Sequence, residues 1–173
     1  VSAVTITNTG SFDGLTNSAE VEQEAEEKNK DCDNSFCGNL VGAQAQAAVV
    51  AIVNSGEGDY EDISNSAEIE QEIEQENDDC NTESAGEPTE CENEVGAQAQ
   101  EAAIQIANSG VVGATYEDVS NSAEIEQEIE QENEDCTDAG CFNFVGAQAQ
   151  LSEIAIINDG TSAGASYEDI TNS

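Results

Sequence analysis

The sequence predicts an all-β protein made of three repeats of about fifty residues, each giving two long strands to a stacked sheet. The first observation is a strict alternation. Between positions 65 and 77, glutamate fills Glu68, Glu70, Glu72, Glu74 and Glu76, while Ala67, Ile69, Gln71, Ile73 and Gln75 take the odd places. A period of two puts these sets on opposite faces of an extended strand. The second is recurrence. The same words return at 121–133 and, with substitutions, at 17–27, and Val-Gly-Ala-Gln-Ala-Gln starts at 41, 95 and 145. Tyr60, Tyr116 and Tyr167 each open a Tyr-Glu-Asp phrase that leads into Asn-Ser. A single repeat domain over 1–173 follows, with repeats of about 9–54, 55–108 and 109–158 and terminal half-repeats 1–8 and 159–173.

Segment A of each repeat runs from the tyrosine phrase through the glutamates. Segment B runs from Val-Gly-Ala-Gln-Ala-Gln to Asn-(Ser/Asp)-Gly. Segment B alternates as well: Gln98, Gln100, Ala102, Ile104 and Ile106 face one way, and Ala97, Ala99, Glu101, Ala103 and Gln105 the other. Glutamate, glutamine and alanine also favour helices, and Asn65 with Glu68 has the form of a capping box. A helix, however, would set Glu68 against Glu72 and Glu70 against Glu74 with no lysine to offset them. The β-branched alternation of residues 3–8 (Ala-Val-Thr-Ile-Thr-Asn) agrees with strands. The Asn-Ser-Gly words at 54–56 and 108–110, and Asn-Asp-Gly at 158–160, are expected to turn the chain between repeats. Strands of about thirteen residues would be about 44 Å long, suited to a flat stack. Arch, meander and solenoid arrangements all remain open at this level.

Composition narrows the function. The chain has 39 acidic residues against two basic ones, Lys28 and Lys30, and a formal charge of −37. Leucine, isoleucine, valine and phenylalanine make under a fifth of it, so backbone ladders, amides and disulfides must supply the order that a large core would otherwise give. Such a charge repels nucleic acid and anionic membranes, and no apolar run approaches the roughly 18 residues of a membrane span. Self-association and cations are the partners that remain. The chain opens at Val1 without a methionine or a signal peptide, as a processed, extracellular form would.

Six cysteines fall in matching places as Cys32 with Cys37, Cys80 with Cys91, and Cys136 with Cys141. An even, repeated set implies disulfides in an oxidising compartment, each loop closing on itself. Zinc would require histidine or Cys-x-x-Cys, and the chain has neither.

Catalysis has little to draw on. There is no histidine and no phosphate-binding glycine loop, and paired carboxylates need two different environments to act as acid and base. No enzyme activity and no resident cofactor are expected. The glutamates are a solvated acidic face or a site of cation bridging, calcium for example, through Glu68, Glu70, Glu72 and Glu74 and their counterparts Glu124, Glu126, Glu128 and Glu130. Charges about 4.8 Å apart repel by about 0.9 kcal/mol even in water, so stacked copies of this face call for relief by cations, protonation or stagger. The glutamines, recurring on the isoleucine face, point to stacked amide ladders of the cross-β kind.

Both ends cut the repeat mid-strand, which suits a polymer joined head to tail. The residues expected to carry assembly are Val4, Ile6, Ile69, Ile73, Ile125, Ile129, Tyr167 and Ile170. The amide-bearing β-repeats, as in Val-Gly-Ala-Gln-Ala-Gln at 95–100 and Asn-Ser-Ala-Glu-Ile-Glu-Gln at 121–127, resemble functional amyloids of microbial surfaces. With the cysteines and the acidity, the chain is similar to the sheath proteins of filamentous methanogenic archaea. That resemblance implies an extracellular, tubular cell-surface sheath of high chemical resistance. The function expected is thus a structural subunit that polymerises through strand pairing into an extracellular filament or sheath. The alternative is a secreted, monomeric, acidic adhesion module dependent on calcium.

Overall fold

In the computed structural model the protein is all-β, with parallel sheets and no helix among the described residues. Those residues are 1–30, 36–41, 43–56, 59–78, 90–95, 97–110, 115–134, 140–159 and 166–173.

Among the described residues the strands form three sheets. The first, here the glutamate sheet, holds β2 (Phe12–Asn29), β5 (Tyr60–Asn77), β8 (Thr115–Tyr116) with β9 (Val119–Asn133), and β12 (Ser166–Tyr167) with β13 (Thr171–Asn172). The second, the alanine sheet, runs in the order β1 (Ser2–Thr9), β4 (Gln44–Gly56), β7 (Gln98–Gly110), β11 (Gln148–Asp159). A short third sheet contains β3 (Phe36–Val41), β6 (Glu90–Val95) and β10 (Gly140–Val145). Every pairing is parallel and joins equivalent positions of successive repeats: Asn17 to Asn65 to Asn121, Ile52 to Ile106 to Ile156.

The glutamate and alanine sheets pack face to face. Ala19, Val21, Ala67 and Ile69 of one meet Val50, Ile52, Ile104 and Ile106 of the other in one buried cluster. Isoleucine faces inward and glutamate outward because a period of two leaves each strand one dry face, and only the apolar-plus-amide set can be dried cheaply. Ile69 and Ile73 are fully buried while Glu68 and Glu70 are exposed. Ile125 and Ile129, on the next strand, are only half-buried.

The observed chain departs from expectation in three ways. Each repeat has a third, short strand, so Val41 and Val95 close β3 and β6 instead of opening segment B. The Asn-Ser-Gly words at 54 and 108 are not turns; they lie inside β4 and β7, where Asn54 and Asn108 are fully buried. Strand β1, expected to be cut off mid-repeat, pairs along one edge with β4 and ends its sheet, and β12 and β13 pair with β8 and β9. The common cause is that these strands find their partners one repeat away, where an identical pattern guarantees a matching face.

One local feature aligns the repeats. Asp62, Asp118 and Asp169 have φ near +50°, and Gly14 occupies the equivalent place with φ +74°. A left-handed residue after the tyrosine shifts the alternation by one, so that Tyr60 and Ile63, three positions apart, both point inward. Asp tolerates this conformation better than most side chains because it bonds locally to the backbone.

Candidate assembly site

Among the described residues the inward amides form two continuous ladders, one at each end of the glutamate strands. In the first, Asn8 donates to Asn17 (2.8 Å) and Asn54 (2.9 Å), Asn54 to Asn65 (3.0 Å) and Asn108 (2.9 Å), and Asn65 to Asn121 (2.8 Å). It continues from Asn108 to Asn158 and from Asn121 to Asn172, both at 2.8 Å. Each rung thus links the two sheets as well as successive strands. The second ladder runs from Asn29 to Asn77 (2.9 Å) to Asn133 (2.9 Å), crossing to Asn39, Asn93 and Asn143 of the short sheet.

Glutamines fill the space between. Gln127 donates to Gln71 at 2.7 Å, Gln71 to Gln23 at 2.8 Å, and Gln150 to Gln100 at 2.8 Å. Gln71, Gln75 and Gln100 are buried, a placement that costs several kcal/mol for an unpaired amide and is made good here by like stacking on like. The expected glutamine ladders are therefore in place. The sequence places the asparagines at 54, 108 and 158 in turns, because Asn-Ser-Gly and Asn-Asp-Gly are good turn chemistry.

Tyr60 and Tyr116 stack with ring centroids 4.6 Å apart and 6° between planes, and Phe12 caps the column at 5.5 Å from Tyr60. Burial raises the Tyr60 phenol, an effect partly opposed by the Tyr116 hydroxyl. Tyr167 continues the column in backbone register; Ile170 packs against the same cluster, half-buried. Val4 and Ile6 are half-buried against Val50 and Ile52 of the same chain.

On the outer face, in-register pairing aligns like charges: Glu20, Glu68 and Glu124 share a column, as do Glu22, Glu70 and Glu126, then Glu24, Glu72 and Glu128, with Glu74 beside Glu130 on the adjoining strand. The Glu70 carboxyl is raised above the usual range by partial desolvation, then by repulsion from Glu22 and Glu126; Glu72 is raised in the same way, with Glu24 and Glu128 as its neighbours. Lys28 stands in the column of Glu76 and Glu132 and contacts Glu26 at 2.7 Å, Glu76 at 2.9 Å and Glu74 at 3.1 Å. Its ammonium is held well above the usual range by the hydrogen bonds it donates to Glu26, Glu76 and Glu74. A cation can therefore sit among these carboxylates. The side chains of Glu76, Asp78 and Glu134 offer three oxygens within 4.8 Å of one another, the one set of that kind among the described residues; sequence reading named the glutamate face but not this group.

Cys37, Cys91 and Cys141 share one backbone column of the short sheet, and Cys91 and Cys141 each belong to a disulfide. Cys32, Cys80 and Cys136 lie outside the described residues, and with them the expectation of closed local loops.

No protein family, curated protein or solved structure matches this chain.

Proposed function

We propose that this protein is a structural subunit whose repeats stack, amyloid-like, into an extracellular filament or cell sheath, and that it has no catalytic role. One observation carries the reading: each strand pairs in parallel with the same residues one repeat away, as in Asn17 to Asn65 to Asn121. That relation is a translation. It closes nothing, so a further copy offering the same inner faces adds on the terms that already join the repeats. Buried amide ladders reinforce it, because a one-residue slip would put glutamate into the core. The disulfides at Cys91 and Cys141 support an oxidising, extracellular setting and the resemblance to archaeal sheath proteins.

The test is electron microscopy with fibre diffraction on concentrated protein. Ordered fibres or tubes with a reflection near 4.8 Å along their axis support the reading. A monomer by sedimentation at every salt and pH overturns it. The grouping of Glu76, Asp78 and Glu134 favours a second reading, a monomeric acidic module that binds calcium for adhesion. Under that reading the same sedimentation run changes shape with calcium and reverts with chelator, without fibres.

A further inference from the structure

We infer that the outer face of the alanine sheet docks against a second copy of this chain, sheet to sheet, at right angles to the direction of stacking. This face is the converse of the glutamate face. Along β4, β7 and β11 it presents Val49, Ala51, Ala103, Leu151, Ala155 and Ile157, all in the outward register. Val49 is 46% exposed, Leu151 61% and Ile157 43%. The acidic groups on it are Glu101, Glu153 and Asp159, spread over two strands, and it carries no basic residue. Small side chains keep it flat, and a shallow groove follows Ala45, Ala99 and Ala149 across three strands. A face of four strands, with thirteen residues along β7, spans about 43 by 19 Å, or roughly 800 Å². As a footprint, polar residues included, that is about one side of an ordinary specific interface.

Charge selects the occupant. A second copy also carries −37 and is repelled wherever glutamate is dense. Of the outer sheet faces among the described residues, the alanine face has the sparsest acidic groups, so side by side two copies meet there with the least like charge. Paired this way, four sheets lie in sequence at about 10 Å spacing, so the two glutamate faces end about 30 Å apart. That is several times the Debye length of about 8 Å at physiological salt, and their repulsion is screened. The apolar side chains of the two faces meanwhile leave water, alanine and valine being small enough to interdigitate, while Glu101, Glu153 and Asp159 keep their hydration. A pair of this kind exposes acid on both outer surfaces and little else.

The experiment places charge on the seam without touching the core, in the double variant Val49→Glu with Leu151→Glu; both side chains are exposed. The expected result is unchanged strand content and melting temperature, with mass per unit length, or the sedimenting mass if no fibres form, halved relative to wild type. Equal mass in variant and wild type overturns the inference. A photoreactive phenylalanine at position 49 gives the second readout. Cross-links to residues 45–53, 99–107 or 149–157 of another copy support the seam; links to a lipid, to another protein or to the glutamate sheet overturn it. Loss of axial stacking with the dimer retained would defeat the filament reading alone, and single-width fibres would defeat only this one.

Discussion

Asn65 donates its side-chain amide to Asn121 Oδ1 at 2.8 Å, across 56 residues of chain. Its own Oδ1 accepts from Asn17 at 2.8 Å and from Asn54 at 3.0 Å, so one carboxamide ties its own strand to three others across two sheets. Replacing it leaves buried amides one bond short, at about 1–3 kcal/mol each. Asn65→Ala is therefore expected to lower stability to urea by at least that much, and by more than Asn172→Ala, which leaves one buried amide, Asn121, a bond short beside an exposed position. Equal urea midpoints for the two variants would show that the buried ladder is not what holds this end.

Isoleucine truncations should grade with depth. Ile69 is fully buried between the sheets, and Ile129 is half-buried. Ile69→Ala is expected to cost about 2–5 kcal/mol through lost transfer energy and a cavity. Ile129→Ala should cost less than half as much in the isolated chain. In assembled material the gap should narrow if another copy covers β9, and denaturation of fibres alongside monomer measures it.

Acid should stabilise this protein over a range where most proteins begin to weaken. Glu70 and Glu72 have carboxyls raised in the folded state, so between folded and unfolded values the native form binds more protons. Stability then rises as pH falls through the raised folded values, and the gain is complete below the unfolded value. Thermal melts at pH 7, 5 and 4 should show an increasing Tm, and Glu70→Gln should raise Tm at pH 7 and flatten the trend. A Tm that falls steadily over that interval rejects the account.

The left-handed position in each repeat gives a fourth test. Gly14 has open space where a Cβ would go, so Gly14→Ala pays only for its backbone conformation, about 1 kcal/mol. Gly14→Asp should cost less, since Asp62 and Asp118 hold the same conformation. Asp62→Gly should be neutral or stabilising. Urea titrations that rank Ala above Asp at position 14 would sink the idea that local bonding by Asp eases this turn.

The glutamate face, the isoleucine-and-glutamine face and the repeat length were all legible in the sequence, because alternation is a property of one strand and needs no partner to be seen. Asn54 and Asn108 were misplaced for an equally local reason: Asn-Ser-Gly is good turn chemistry, and only burial against Asn65 and Asn121 shows it serving as a strand end instead. The left-handed Asp62 was missed although a signal existed, since Phe-Asp-Gly at 12–14 replaces Tyr-Glu-Asp and puts glycine where aspartate stands elsewhere.

By itself, then, the sequence determined which side of each strand is dry and which repeats are equivalent. Tertiary structure alone decided who pairs with whom. Strand β1 could have bonded to a neighbour in sequence, to a second chain or to β4, and its alternating pattern suits all three. The choice of β4 sets Val4 on Val50, Ile6 on Ile52 and Asn8 on Asn54 at once, and that summed match across about fifty residues of chain has no counterpart in any local window of sequence.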